Sequence, residues 1–214
     1  GGIGTVNFIG NNQKITGESI TGFYNINLYG TPLAIKSLGN HVYVLNQLNL
    51  HNAELSANNS TLLMTKSSQE ILRKNGFVST KINGRLNRDL QTNFSGSSFP
   101  LGFNRNGKVV YRPIFLTHSD PGTFRTAFIY DDASNYDWDI KITQDSLCTV
   151  NDEFFHIVGS SPNARVDFGI VTEEYNRWTK LADWRTSQWN KISPSTMNTI
   201  NGEKGFTTSQ YSNG

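Results

Sequence analysis

Residues 23–29 read Phe-Tyr-Asn-Ile-Asn-Leu-Tyr, and this stretch decides the class of fold. In an extended chain Tyr24, Ile26 and Leu28 share one face, and the two asparagines share the other face with Tyr29. A period of two is typical of a β-strand that is buried on one side only. A Gly-Thr-Pro turn follows at residues 30–32, so the strand is predicted to end there.

The sequence on both sides of this strand, up to about residue 90, has the same character. Strand-like segments of about five residues recur about ten residues apart, with Gly and Asn turns between them. The segments cover residues 5–9, 15–20, 33–38, 41–46, 48–55 and 62–64. Their spacing is quasi-regular and does not follow the strict repeat that marks solenoids. The sequence therefore predicts an all-β chain, without an obvious repeat unit.

These strands are too short to build a large core in one copy. Each would bury two or three medium side chains, and burying a Leu or Val contributes about 1.5–3 kcal/mol. Ordering each residue costs about 1–2 kcal/mol of backbone entropy. Three copies wrapped around one axis would give every strand a partner and a shared core. We therefore expect residues 1–93 to form an elongated β stalk, intertwined as a homotrimer.

One short helix is predicted within this stalk. Ser67 and Glu70 have the spacing of a capping box, and Gly76 supplies a residue that can end the helix in a left-handed conformation. The helix is expected near residues 68–74. Further on, Asn83-Gly84 is the sequence of a tight hairpin turn.

Residues 94–214 have the character of a separate domain. Phe94–Pro100 is rich in Gly and Ser and is the best candidate for a linker. After it, six or more strand-like segments follow one another with Gly, Pro and Asn turns between them. Such a series predicts an antiparallel β-sandwich-like head domain.

Composition and charge exclude several classes of protein. The net charge of +2 is too small to indicate a nucleic-acid or membrane-surface partner. No apolar run reaches the roughly 18–20 residues that span a bilayer. Cys148 is the one cysteine, so no disulfide can form within the chain, and we expect it to be a small buried side chain.

A set of aromatic residues near the C-terminus is the best candidate for a binding site. The set consists of Tyr175, Trp178, Trp184 and Trp189. Sugars stack their C–H faces on aromatic rings, and the neighbouring Asn, Arg, Asp and Gln side chains could bind hydroxyl groups. The alternative is that these rings close the base of the sandwich or fill a subunit interface.

Metal and catalytic sites have little support in the sequence. The acidic residues between Asp131 and Asp139 could offer oxygen ligands to Ca²⁺, but the EF-hand pattern fails there. The four histidines are scattered, and His51 is the best placed to meet its copies on a threefold axis. No pair of carboxylates and no nucleophile with its base can be placed in one cleft. We therefore expect no metal, no cofactor and no enzymatic activity.

Residues 23–90 resemble the distal part of bacteriophage tail fibres and related trimeric viral attachment fibres. The likeness lies in residues 24–30 (Tyr-Asn-Ile-Asn-Leu-Tyr-Gly), 48–55 (Leu-Asn-Leu-His-Asn-Ala-Glu-Leu) and 80–86 (Thr-Lys-Ile-Asn-Gly-Arg-Leu). The resemblance implies a homotrimer with an elongated stalk and a head that binds a receptor or joins fibre segments. It also implies a place in the virion, outside the cell, next to other fibre or tail proteins. The His-x-His iron-binding repeats of some fibre tips are absent.

The leading hypothesis is therefore a structural and adhesive virion fibre protein. Its head would attach to a glycan or an outer-membrane protein of the host surface, without inserting into the membrane. One alternative is a monomeric carbohydrate-binding or lectin module. A second alternative is a polysaccharide-degrading spike enzyme, and a third is a head that only joins fibre segments.

Overall fold

The chain is all-β throughout the part that the structure describes. The computed structural model describes residues 2–31, 34–64, 71–81, 83–90, 94–118, 120–131, 154–159, 163–169, 181–185, 188–192, 197–200, 203–207 and 211–212. The strands are β1 (Thr5–Phe8), β2 (Gln13–Ile15), β3 (Thr21–Leu28), β4 (Ile35–Leu38), β5 (Val42–Leu50), β6 (Glu54–Ser56), β7 (Thr61–Met64), β8 (Ile71–Arg73), β9 (Phe77–Ser79), β10 (Arg85–Leu90), β11 (Phe94–Phe99), β12 (Gly102–Arg105), β13 (Lys108–Tyr111), β14 (Ile114–His118), β15 (Gly122–Ile129), β16 (Phe154–Gly159), β17 (Asn163–Gly169), β18 (Leu181–Arg185), β19 (Gln188–Ile192), β20 (Met197–Ile200), β21 (Glu203–Thr207) and β22 (Tyr211–Ser212).

The N-terminal strands alternate between two parallel sheets. Strands β1, β3, β5, β7 and β10 pair in this order in the first sheet, which we call sheet A. Strands β2, β4, β6 and β9 pair in this order in the second sheet, which we call sheet B. Each circuit of the chain thus adds one level to each sheet, and in the third circuit the level of sheet A is divided into β7 and β8, which pair with the two halves of β5. The result is an elongated arrangement of stacked coils that resembles a β-solenoid.

The pairing explains why the sequence shows no strict repeat of the kind that marks solenoids. Paired residues lie between 19 positions apart, as for Ile35 and Glu54, and 24 positions apart, as for Leu62 and Leu86. The strands keep their register, and the corners between them differ in length. A search for a fixed period in the sequence misses such a repeat, because the corners shift it at every circuit.

The core of the coils is completed within one chain. In register, Ile26, Leu48 and Ile71 form one column of inward side chains, and all three are buried. Val42, Leu62 and Leu86 form a second column of sheet A, and all three are buried. The expectation that the strands of residues 1–93 need other copies of the chain for their pairing partners and their core is therefore wrong. Two sheets closing on each other bury each strand on its inner side, which one flat ladder cannot do.

Two core columns reach an arginine that lies against an aromatic ring. The column of Leu28 and Leu50 continues to Arg73, whose guanidinium carbon lies 3.5 Å from the centroid of the Tyr111 ring. The column of Val44 and Met64 continues to Arg88, which donates from a terminal guanidinium nitrogen to the Ser98 carbonyl (2.7 Å). The guanidinium carbon of Arg88 lies 5.5 Å from the centroid of the Phe99 ring. Residues from beyond position 90 thus cover the C-terminal end of the coils.

The strands after β10 run antiparallel, as the sequence predicts. Strand β15 pairs with β10 and β16 pairs with β15, so both extend sheet A directly. Strands β11, β14, β17, β21 and β20 form another antiparallel sheet. Residues 94–99 form β11 with a buried Phe99, so the predicted linker is wrong. The division at residue 93 and the sandwich remain predictions, although Phe99, Ile114 and Phe128 belong to the same apolar cluster as Leu48.

Two local predictions within residues 1–93 are also wrong. Ile71–Arg73, the second half of the predicted helix, is strand β8, which pairs in parallel with Leu48–Leu50 of β5. The first half, residues 68–70, lies outside the described residues. The tertiary pairing of β8 overrides the local capping signal. The turn at Gly84 exists, with its N–H bonded to the Lys81 carbonyl (2.9 Å), but it connects sheet B to sheet A and closes no hairpin.

Candidate carbohydrate-contact site

One corner between the sheets carries a stack of aromatic and polar side chains. Tyr29 follows β3 and His51 follows β5 at the equivalent position. Their rings stack, with centroids 4.4 Å apart and planes inclined by 22°. In-register coils bring these side chains together, because a residue that follows one strand lies directly above the residue that follows its neighbour. Both rings are partly exposed to solvent.

The same corner also carries a cation at the position of the two rings and two amides at the next position. The Asn75 side-chain amide donates to Asn52 Oδ1 at 2.9 Å, so the two asparagines form a short ladder. Lys74, which is exposed, precedes Asn75 and follows the strand that pairs with β5. Together Tyr29, His51, Asn52, Lys74 and Asn75 form a surface that we call the corner stripe.

Close backbone packing fixes the position of the corner stripe. A Cβ on Gly76 would lie 2.6 Å from the Ala53 carbonyl oxygen, so only glycine lets the two corners approach this closely. The amides of Asn75 and Gly76 both donate to the His51 carbonyl, at 2.7 Å and 3.0 Å. Residues held to a rigid backbone in this way need little ordering when a ligand binds.

The corner stripe combines the groups that recognise sugars. The Tyr29 and His51 rings offer apolar surface, and the two asparagine amides offer both donors and acceptors. Lys74 adds a positive charge, and the residues of this corner, 29–31, 51–53 and 74–76, include no carboxylate. The chemistry fits a sugar chain that carries carboxylate or phosphate groups.

Two buried charged groups lie elsewhere in the coils. The Ser79 hydroxyl donates to Glu54 Oε1, and burial raises the pKa of the Glu54 carboxyl, with the Ser79 hydrogen bond opposing it. Lys36 is fully buried, and its ammonium donates to the Gly10 and Asn11 carbonyls at 2.7 Å and 2.6 Å. It also donates to Gln13 Oε1 at 2.6 Å, and burial lowers its pKa. Lys36 thus fastens the corner between β1 and β2.

The predicted aromatic set is only partly described. Trp184 and Trp189 are paired opposite each other in the β18–β19 hairpin. Tyr175 and Trp178 lie outside the described residues, as does Cys148. Of the segment between Asp131 and Asp139, only Asp131 is described. Whether the four aromatics form one site remains a prediction.

The sequence interpretation missed the corner stripe. It considered His51 only as a residue on a threefold axis, whereas His51 stacks on Tyr29 of the same chain. A signal was present in the sequence. Leu28, Leu50 and Arg73 are paired in register, and Tyr29, His51 and Lys74 are the residues that directly follow them. Aligning the segments that end at residues 28, 50 and 73 would have placed these side chains in one line.

Neither a metal site nor a membrane-spanning helix is found in the part of the chain that the structure describes. No three His, Cys, Asp or Glu side chains come together there in a way that could hold a metal ion. Within the same residues no helix is long and apolar enough to cross a membrane.

Comparison with known proteins adds no assignment. No protein-family model matches the chain, and no curated protein or solved structure matches it either.

Proposed function

We propose that this chain is an adhesive segment of an elongated virion fibre that contacts anionic glycans of a host surface. The observation that carries the proposal is the corner stripe, where the stacked Tyr29 and His51 rings lie beside the Asn52–Asn75 ladder. Stacked coils give a stiff body that can hold such a surface at a distance from its anchor. The viral setting rests on the resemblance of residues 23–90 to attachment fibres.

Binding to isolated surface polysaccharide tests this proposal. The full chain should bind lipopolysaccharide or capsular polysaccharide with acidic sugars, and His51→Ala and Lys74→Ala should each weaken binding. Replacing one contact of this kind should reduce affinity by about five- to tenfold, since polar and aromatic contacts of this kind each contribute roughly 1 kcal/mol. Asn59→Ala, at an exposed position of another corner, is the matched control and should bind as the unmodified chain does.

The same measurement separates the corner stripe from the C-terminal aromatics. If Trp184→Ala abolishes binding and His51→Ala leaves it unchanged, the site lies in the aromatic set and the corner stripe is not involved. If the chain binds no polysaccharide but binds host outer-membrane protein, the receptor is a protein and the glycan proposal fails.

A monomeric carbohydrate-binding module is the second candidate. It is favoured by the completed core, because Leu28, Leu48 and Leu62 are buried without help from another copy. The homotrimer remains a prediction from the family resemblance alone. A solution mass of 23.9 kDa would favour the module, and three times that mass would favour the trimeric fibre.

A further inference from the structure

The outer face of sheet A carries a row of side chains next to the corner stripe. Leu28 and Leu50 are buried in the core, so the residues just before them, Asn27 and Asn49, point outward. In register, the row consists of Asn7, Asn27, Asn49 and Leu72. Strands β1, β3 and β5 contain no charged residue, so this part of the face is polar but neutral.

This row is continuous with the corner stripe. The His51 amide donates to the Leu28 carbonyl at 3.1 Å, so the parallel pairing continues one residue beyond β5. His51 therefore lies on the same side of the sheet as Asn49, two positions and about 6.5 Å away along the strand. Lys74 has the same relation to Leu72. The ring, the cation and the row thus belong to one surface.

The Asn49 side chain has hydrogen-bonding groups to offer a ligand. The Asn27 amide donates to Asn7 Oδ1 at 2.8 Å, whereas the Asn49 side chain makes no hydrogen bond to any residue that the structure describes. An amide side chain has two N–H groups and an accepting oxygen. Asn49 is half-buried, so a ligand held against it would bond to groups that no described residue satisfies.

Leu72 places an apolar side chain directly beside the Asn49 amide. The two residues are paired in register, and neighbouring strands of a sheet lie about 4.8 Å apart. Leu72 is half-buried, so part of its surface faces solvent. This pair of side chains matches an acetamido group, whose N–H and C=O can bond to Asn49 while its methyl group contacts Leu72.

We infer that the corner stripe and this row bind a polysaccharide in which an acidic sugar is followed by a neutral, N-acetylated sugar. The carboxylate pairs with the Lys74 ammonium, and the acetamido group lies between Asn49 and Leu72. This inference rests on the proposed function and names the class of glycan. A polysaccharide with a carboxylate on every unit fits less well, because β1, β3 and β5 offer no second cation.

Binding of the full chain to two defined glycans tests this inference. Hyaluronan alternates a carboxylate-bearing sugar with an N-acetylated sugar, whereas polygalacturonate carries a carboxylate on every unit and no acetamido group. In titration calorimetry with oligosaccharides of equal length, hyaluronan should bind about tenfold more tightly. This is the effect expected of one or two hydrogen bonds and a methyl contact.

Variants separate the acetamido contact from the charge contact. Asn49→Leu and Leu72→Thr should each weaken hyaluronan binding by about three- to tenfold and leave polygalacturonate binding unchanged. Lys74→Ala should weaken the binding of both glycans. Asn59→Leu, the same replacement at an exposed position of another corner, is the matched control and should change neither. Circular dichroism of each variant should retain the β spectrum, and if Leu72→Thr does not fold, Asn49→Leu decides alone.

Three results would overturn the inference. One is equal binding of the two glycans with no effect of Asn49→Leu, and another is the absence of hyaluronan binding. In both cases the proposed function still stands if another acidic polysaccharide binds, and it fails only if none does. The third is a solution mass of two copies that Asn49→Leu returns to one, because the face would then be covered by a second copy of the chain.

Discussion

The guanidinium of Arg73 lies against the ring of Tyr111, with 3.5 Å between the guanidinium carbon and the ring centroid. Arg73 ends the core column that contains Leu28 and Leu50, and its Nε donates to the Gly76 carbonyl at 2.8 Å. A charged side chain at this place is tolerated because its plane stacks on an aromatic ring and its N–H has a carbonyl partner. The contact joins the last coil to the strands that follow it.

Removing the Tyr111 ring should therefore loosen this junction. Tyr111→Leu should lower the free energy of unfolding by about 1–3 kcal/mol, the sum of a cation–π contact and lost aromatic burial. Tyr111→Phe keeps the ring and should lose clearly less. Urea unfolding at one protein concentration measures both. Equal losses for the two variants would show that the hydroxyl, and not the ring over Arg73, is what matters.

Gly84 allows the corner between β9 and β10 to approach its neighbour. A Cβ at this position would lie 2.1 Å from the Asn58 carbonyl oxygen, and Asn58 itself has a positive φ of 46°. Gly84→Ala should destabilise the chain by about 1–3 kcal/mol, since the clash is with backbone and must shift a coil. Gly2→Ala, where nothing lies within 4 Å, is the control. If Gly84→Ala and the unmodified chain had similar midpoints of thermal unfolding, the close approach of Gly84 to Asn58 would be contradicted.

The buried Glu54 carboxyl should give the fold a specific pH dependence. Its pKa in the folded chain is raised above its ordinary value of 4.5, so the folded chain holds this proton more tightly than the unfolded chain. The stabilisation is fully present below pH 4.5 and is lost as the pH rises through the folded-state value. Glu54→Gln should remove this loss and be more stable than the unmodified chain at neutral pH. Parallel pH profiles of unfolding for the two proteins would refute the assignment.

Lys36 should hold the corner between β1 and β2 in one conformation. Lys36→Met keeps the buried stem and removes the hydrogen bonds to Gly10, Asn11 and Gln13. Hydrogen bonds of a charged group contribute about 1.5–3 kcal/mol each, so the amides of residues 10–15 should exchange with deuterium at least tenfold faster. Lys14→Met, at an exposed position of the neighbouring strand β2, should leave the exchange of these amides unchanged. Unaltered protection in Lys36→Met would mean that the corner is held by its backbone alone.

Much of the fold is predictable from the sequence, and its topology is not. Alternation in residues 23–29 and 41–46 correctly predicted strands, because burial of one face imposes a period of two. Which strands pair depends on contacts between residues about 20 positions apart, and local alternation does not predict such contacts. The segment 68–74 carried helix signals, and yet Ile71–Arg73 pairs with Leu48–Leu50.

The candidate site was harder to predict than the strands. Tyr29, His51 and Lys74 are ordinary turn residues in the sequence. They form one surface only because the coils stack in register. Trp184 and Trp189 are prominent in the sequence because tryptophan is rare, and they are paired in register in β18 and β19.

The unequal corners have a consequence for how such a chain changes over generations. The links between sheets A and B hold four residues after Phe8, six after Leu28 and three after Leu50, while the strands stay in register. Because the corners absorb the difference, duplication or deletion of a whole circuit alters the reach of the molecule by a fixed step. Duplication or deletion of about 20 codons would therefore lengthen or shorten the stack by one coil and leave the packing of the other coils unchanged.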